Sequence, residues 1–347
     1  MKAAVDKGKR RIEVEEVPTP TVQPGTLLLK TKYCSICGSD LEHLAGALDI
    51  YEGTELHVGA ILGHEWVAEV AAVGEGVKGW SVGDRAGVAS TRRSCGLCYF
   101  CRRGLYHFCL GGLPARTSLF EASSYGSKFG AMAEYFIRPP NLAQKVPDVL
   151  SDEEVALAEP LATGVASVFS AGLKLGDSAV VVGAGKIGLG AMMCAKAAGV
   201  APVIVIDIRK NRLDKALEVG ADAVLNAKEV DVISEVVKLT DAGPDAVLVC
   251  VREGKVLKQA VEMVRRGGAI VTTGVLTPEE TDSAPWMLKE LRLSSHMSGP
   301  IDVSLNLMAH KLVNVKPLIT EIIPLEEVQR AFDSMYSGEN VVALLKP

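Results

Sequence analysis

Over residues 1–145 the apolar positions come in short runs, at 27–32, 66–73 and 85–89, broken by Pro, Gly and Asp. That texture predicts strands and turns. From about 146 to 283 the rhythm changes. Apolar, β-branched runs at 179–182, 203–207, 223–225, 246–250 and 269–273 alternate with stretches of helical spacing at 186–198, 211–219, 233–239 and 255–265. Such alternation predicts right-handed βαβ units around a doubly wound parallel sheet. From 284 to 347 a mixed tail predicts helices at 303–311 and 325–337 and a last strand at 341–345. A tail of this length should dock on the first domain. The expected division is therefore 1–145, 146–283 and 284–347, with no internal repeat, low-complexity tract or long linker.

Length and composition narrow the class. A chain of 347 residues is more than twice the usual domain, so two cores are expected. With 48% hydrophobic and 23% charged residues, wholesale disorder is excluded. Lys and Arg total 37 against 42 Asp and Glu, a net charge of −5 that suits no nucleic-acid partner. No apolar run reaches the roughly 18–20 residues needed to cross a bilayer. The opening MKAAVDKGKRRIEV carries charges where a signal peptide would need its apolar stretch. The expectation is a soluble, cytoplasmic protein with reduced thiols and no membrane partner. Its eight cysteines are clustered, in a chain too long and too cysteine-poor for a secreted disulfide scaffold.

Cys95, Cys98, Cys101 and Cys109 follow the spacing C-x2-C-x2-C-x7-C. Short spacings let thiolates converge on one tetrahedral ion, and four sulfur ligands leave no open position, so a zinc held there would be structural. Its ligation would contribute folding free energy on the order of 10 kcal/mol in apparent terms. The Cys-Pro of bacterial ferredoxins is missing after Cys109. The flanking Arg92, Arg93, Arg102 and Arg103 are too few for a nucleic-acid ribbon.

A second site is open. Cys37 stands in ICGSD, and His64 with Glu65 in LGHEW. A thiolate and an imidazole from separate turns, with carboxylates nearby, match catalytic zinc with an exchangeable position. Glu159, in LAEPLATG at the start of the apparent second domain, is a further candidate and would put the metal in a cleft between domains. Either Glu65 or Glu159 could complete the set. Asp40 is placed to accept the other N–H of a ligand histidine.

The run VVVGAGKIG at 180–188 reads strand, glycine turn, helix. Gly183 permits the tight turn, Gly185 lets the backbone approach a pyrophosphate, and Gly188 allows close helix–strand packing. The phosphates would rest on the helix N-terminus beside Lys186 and Ile187. Asp207 ends the next strand 19 residues after Gly188, where ribose hydroxyls are held, and favours NAD over NADP. Arg209, Lys210 and Arg212 follow and keep NADP open; Arg212 and Gly274 join the candidate cofactor set.

In their order along nearly the whole chain, ICGSD, GHE, the cysteine lobe, EPLATG, GAGKIG and PLITEIIPLEEVQRAF resemble the zinc-dependent medium-chain dehydrogenase/reductase family. Glu159, where liver-type alcohol dehydrogenases carry cysteine, is more like the polyol (sorbitol) and threonine dehydrogenase branches. The resemblance implies a Rossmann domain inserted in a GroES-like β-rich catalytic domain built from both chain ends. It further implies two Zn2+ per chain, NAD, a homodimer or homotetramer, and a small alcohol or ketone as substrate. The expected reaction is reversible hydride transfer between a secondary alcohol or polyol and NAD. An NADPH-preferring carbonyl reductase and a non-catalytic zinc-stabilised binding protein are the alternatives. Ser39 matches the family's relay hydroxyl.

The chain also departs from that pattern. Where relatives often carry a relay histidine, five residues after the cysteine ligand, stands Glu42, with His43 next; either could take the proton. Arg252 replaces a glycine usual beside the cofactor. Pocket candidates are Trp66, the loop 111–128, His296 and Met297, with Phe129 and Met132 as packing. Asp49, Glu52, Glu55 and His57 could form a polar rim, and Cys34 and Cys194 read as core filling.

Overall fold

The computed structural model describes residues 1–46, 58–89, 95–105, 108–109, 130–296 and 298–347. Asp49, Glu52, Glu55, His57, Arg92, Arg93, the loop 111–128, Phe129 and Met297 lie outside the described residues. The chain forms two compact units, one of 1–159 with 319–347 and one of 160–318.

The first unit begins with an antiparallel hairpin, β1 (Lys2–Gly8) and β2 (Arg11–Glu16). Then come β3 (Leu27–Ser35), α1 (Gly38–Leu44), β4 (Glu65–Val73), β5 (Arg85–Val88), β6 (Tyr135–Arg138), β7 (Ala143–Lys145), α2 (Asp152–Val155) and the start of α3 (Ala158–Ala171). The second unit runs through β8 (Ala179–Val182), α4 (Lys186–Ala197), β9 (Val203–Asp207), α5 (Lys210–Glu218), β10 (Ala223–Asn226) and α6 (Val232–Thr240). It continues with β11 (Ala246–Val249), α7 (Lys255–Met263), β12 (Ala269–Thr272), α8 (Ala284–Leu288), β13 (Arg292–Ser295) and α9 (Ile301–Ala309). The chain then returns to the first unit as β14 (Ile319–Pro324), α10 (Val328–Ser337) and β15 (Val342–Lys346).

Among the described residues the second unit holds a six-stranded parallel sheet of order β10-β9-β8-β11-β12-β13. Reversal of strand order between β8 and β11 makes this the doubly wound dinucleotide fold. Every residue of β8, β9 and β11 is buried. Helices covering both faces explain why these strands read as unbroken apolar runs and not as alternation. Each Val or Ile so buried stabilises the sheet by about 1.5–3 kcal/mol relative to exposure. Helix α5 buries only Leu213 and Ala216, three residues apart on one face, and so rests on the sheet as an amphipathic cover.

The first unit is the GroES-like, β-rich part. Beside the β1–β2 hairpin, its other described strands form a seven-stranded sheet in which β14-β15-β3-β4-β5-β7 are neighbours and β6 pairs with β3. The boundaries expected at 145 and 283 fall instead at 159 and 318. The second shift has a clear cause. Strand β13, Arg-Leu-Ser-Ser, extends the parallel sheet at its edge with mostly exposed residues, so it lacks the apolar run that marks its neighbours. Residues 284–318 thus belong to the second unit, and the first resumes only at Ile319. No helix among the described residues is long and apolar enough to cross a membrane.

Candidate active site

Strands β3 and β4 bring the first ligands together. They are antiparallel with Ser35 opposite Glu65, so the chain leaving β3 at Ile36 and Cys37 runs beside the chain entering β4 at Gly63 and His64. Gly63 makes that approach possible: it has φ +102°, and an added Cβ would lie 2.7 Å from Cys34 Sγ and 2.8 Å from the Met132 amide. Cys37, His64 and Glu65 each present a ligand atom within 4.8 Å of the others. Glu65 is fully buried, and Cys37 and His64 are half-buried.

Cys37 caps α1. The Asp40 amide donates to its side chain, and Asp40 Oδ2 accepts from the Cys37 amide at 2.9 Å. Asp40 Oδ1 lies 3.5 Å from His64 Nδ1, with Asp40 buried. With Nδ1 beside Asp40, Nε2 of His64 would be the nitrogen left for a metal. A small cleft lined by Asp40, Gly63, His64, Gly130 and Arg138 opens beside the cluster. Burial lowers the pKa of the Arg138 guanidinium to about 10. Sulfur, imidazole nitrogen and carboxylate oxygen are the donors zinc takes when it keeps an exchangeable position, so the residues fit that ion.

The other sequence candidates fall into place less uniformly. Glu159 lies in the first turn of α3 and outside the cluster of ligand atoms. Ser39 is half-buried on α1, two residues past Cys37. His43 is buried and its Nε2 pairs with Asp6 Oδ2 of β1 at 3.0 Å, while Asp6 Oδ1 accepts the Gly8 amide at 2.6 Å. That pair ties α1 to the first hairpin, a link that nothing in the spacing around Cys37 foretells. Trp66 is 2% exposed and packs edge-on against Phe136, with ring centroids 4.9 Å apart.

The four-cysteine lobe also matches its expected ion. Zn–S bonds of 2.3 Å in a tetrahedron place sulfurs about 3.8 Å apart; Cys95 and Cys101 Sγ stand at 3.9 Å, and all four sulfurs lie within 4.8 Å of one another. Backbone amides of Cys98, Cys101 and Cys95 point at Cys95, Cys98 and Cys109 Sγ at 3.3, 3.4 and 3.2 Å. Amides of Leu97 and Cys98 hold the Cys95 thiol below its ordinary pKa, as a thiolate ligand requires. No disulfide joins the eight cysteines.

In the second unit Gly183 has φ +101° at the end of β8, and the carbonyl oxygen of Gly183 occupies the space that a Cβ on Gly188 would need. A Cβ on Gly185 would meet only Arg212 Nη1, at 3.7 Å. The turn is therefore closed toward the sheet and open where a pyrophosphate would rest. Lys186, buried, and Ile187 begin α4 there; Gly274 follows β12 with open space at its Cα. Asp207 accepts the Ala184 amide on Oδ2 at 2.7 Å and the Ile208 and Arg209 amides on Oδ1 at 2.7 and 2.9 Å. Cys194 and Cys250 are thiols whose burial pushes their pKa up to about 12, which marks them as packing groups.

Fold and site together define a zinc-dependent, NAD(P)-linked oxidoreductase, and the chain belongs to the zinc-dependent medium-chain alcohol dehydrogenase family. The family model "Zinc-binding dehydrogenase" matches residues 187–310, and "Alcohol dehydrogenase GroES-like domain" matches 23–148. The chain is 33% identical to a sorbitol dehydrogenase of Halalkalibacterium halodurans, covering 100% of this chain and 99% of that one. It is 34% identical to an L-threonine 3-dehydrogenase of Pyrococcus horikoshii, covering 96% and 95%. The solved structure of alcohol dehydrogenase TADH from Thermus sp. ATN1 superposes with a TM-score of 0.87 at 32% identity, over 100% and 99% of the chains.

Proposed function

We propose that the protein oxidises a secondary alcohol or polyol to the ketone, reversibly, with NAD as the hydride acceptor. The observation that carries this reading is the convergence of Cys37, His64 and Glu65 with Asp40 behind them. Sorbitol and L-threonine, the substrates in the relatives' names, both present a secondary carbinol among polar groups. Bound zinc supplies a Lewis acid that lowers the pKa of the substrate hydroxyl, and bound NAD supplies the hydride acceptor.

The chain's own residues do the rest. Cys37 and His64 hold the metal, with Glu65 or Glu159 as the carboxylate that completes or exchanges in the set, and Asp40 fixes the His64 ring. Ser39 takes the hydroxyl proton and passes it outward. His43, engaged with Asp6, supports α1 in this reading and leaves the relay to Ser39 and Glu42. Gly183, Gly185, Lys186, Ile187 and Gly188 form the seat for the pyrophosphate, and Asp207 and Gly274 border the dinucleotide. Cys95, Cys98, Cys101 and Cys109 hold the second zinc. We assign the active form to a homodimer or homotetramer, which sedimentation would check.

One observation favours a second reading, use of NADP(H). Arg209 Nη1 and Arg212 Nε are buried with no hydrogen-bond partner among the described residues, and both guanidiniums follow Asp207 closely. Burial, then repulsion from Arg209, lowers the Arg212 pKa. A 2′-phosphate would satisfy both groups.

A panel of alcohols, polyols and hydroxy amino acids, followed by absorbance of reduced nicotinamide with zinc measured alongside, tests the proposal. The expected result is two zinc ions per chain and reduction of NAD by a secondary alcohol. Absence of both zinc and turnover would overturn it.

A further inference from the structure

Helix α1 carries Cys37 as its N-cap and Ser39 and Asp40 in its first turn, and it is held from its other end. The last carbonyls of a helix have no partner within it. Here the Leu44 carbonyl accepts the Arg10 amide at 2.7 Å, and the Leu41 carbonyl accepts the Tyr336 hydroxyl, also at 2.7 Å. The Arg10 guanidinium lies over the Tyr336 ring, 4.9 Å from its centroid. Arg10 thus meets α1 through its backbone and, through its side chain, meets the tyrosine that does the same. Helix α10 completes the brace. Its Gln329, two turns before Tyr336 on the same face, donates to the Arg10 carbonyl at 3.2 Å and accepts the Ile12 amide at 2.9 Å.

The turn that presents Arg10 is strained. Gly8 and Arg11 are register partners, so Lys9 and Arg10 form a two-residue hairpin loop. Both have positive φ, 54° and 63°. A loop of that type calls for Asn-Gly, because side chains at positive φ crowd the backbone. Glycine at position 10 would make the same turn without the crowding. The hairpin alone gives no reason for arginine there; the ring of Tyr336 does. Strain of this kind persists where the surroundings over-determine it, and it collects at functional sites. Helix α1 has seven residues, a length of about 10 Å, and moves as one rod. A shift at Leu41 or Leu44 is passed on to Cys37 and Ser39, where a misplacement of about 1 Å can cost about 100-fold in rate.

We propose that Arg10 and Tyr336 are positioning residues for the reaction: they clamp the carboxyl end of α1 and so set where Cys37 and Ser39 stand. Both act through the helix. The proposal rests on the reading of Cys37 as a ligand of the catalytic zinc and adds to it what fixes that ligand in place.

The test loads Co2+ into the wild type, Arg10→Gly, Arg10→Lys and Tyr336→Phe, with cobalt-loaded Cys37→Ala protein as the blank that subtracts the four-cysteine lobe. Tm, NADH affinity and kcat on the alcohol that the substrate panel turns over fastest are measured alongside. Expected in Arg10→Gly and Tyr336→Phe are a shifted or broadened thiolate-to-cobalt band and a kcat lower by about 3- to 30-fold, with NADH affinity unchanged. Arg10→Lys keeps a cation for the ring and should recover most of both. Glycine relaxes the turn and should leave Tm equal to the parent's or higher. Tyr336→Phe keeps the ring and tests the clamp independently if the glycine variant folds poorly. Wild-type band and kcat in both variants, or a kcat that falls only as far as Tm falls, overturn the proposal and leave the dehydrogenase reading intact. A wild type whose cobalt spectrum equals that of Cys37→Ala overturns both.

Discussion

Asp40 and His64 stand with Oδ1 and Nδ1 3.5 Å apart, and the same buried carboxylate takes the Cys37 amide on its other oxygen. One side chain thus orients two candidate ligands that lie 27 positions apart in the sequence. Outer partners of this type set ring orientation and ligand basicity. Asp40→Asn should therefore weaken zinc binding at this site by about 10- to 100-fold while the fold persists. Competition with a chromophoric chelator reads the affinity; an unchanged value would remove Asp40 from the site.

The two metal sites should respond in opposite ways to loss of a thiol. Cys37→Ala should abolish turnover with little change in Tm, because Cys37 is half-buried at the start of a short helix. Cys98→Ser should lower Tm and zinc content, since ligation of four thiolates contributes on the order of 10 kcal/mol in apparent terms. Thermal melts with metal analysis check both. A stable Cys98→Ser protein with full zinc would contradict the structural assignment.

The glycine turn offers a sharper contrast. A Cβ at Gly188 would overlap the Gly183 carbonyl, so Gly188→Ala must displace α4 and should cost about 1–3 kcal/mol or more. At Gly185 a Cβ meets only the end of Arg212, so Gly185→Ala should melt like the parent. It should nevertheless bind NADH about tenfold more weakly or worse, because the methyl stands where the pyrophosphate approaches. Equal melting and equal binding in both variants would refute the seat assigned to the phosphates.

Asp207 secures the turn through three backbone amides. Asp207→Ala should lower Tm by a few degrees, as capping losses of about 1 kcal/mol do. If the same carboxylate also selects the ribose hydroxyls, NAD binding should fall more than NADP binding. Parallel losses in the two cofactors would deny it that second part.

The pH profile of stability carries a signature of His296. Its pKa of about 4 in the folded protein lies below the ordinary value of about 6.5 in an unfolded chain. Between those values the unfolded state binds a proton that the folded state refuses, so stability rises with pH across that window. The contribution is complete above about pH 6.5 and is lost as pH falls toward 4. Urea midpoints at pH 7.5, 6 and 5 should fall less steeply for His296→Asn than for the wild type; identical slopes would show that the ring titrates normally.

Much of this architecture was legible in the sequence for a physical reason. Strands buried on both faces must be apolar throughout, so β8, β9 and β11 announce themselves. The edge strand β13 needs no such run, so no apolar pattern marks it, and the first unit resumes at 319 and not at 284. Ligands set by short spacings, the cysteine lobe and the glycine turn, were readable because the spacing itself carries the geometry. Pairings across the fold were not. Asp6 with His43 is separated by 37 positions and Ser167 with His296 by 129, and no local pattern links them. Trp66, next to Glu65 in β4, is taken up by packing on Phe136, a contact that no local pattern shows.

Strand β15 lies between β14 and β3 in the first unit's sheet, and Lys2 reaches Glu326 at 2.6 Å. During synthesis the amino-terminal strands emerge first yet lack the neighbour that completes their sheet until residues 342–346 arrive. The contiguous second unit has all its strands well before then. Production order and folding order are thereby inverted: the middle of the chain can mature on the ribosome while its beginning waits for its end. Loss of residues 342–346 would take from β14 its partner strand and from the Cys34–Ser35 end of β3 one of its two, the kind of edge that recruits other chains.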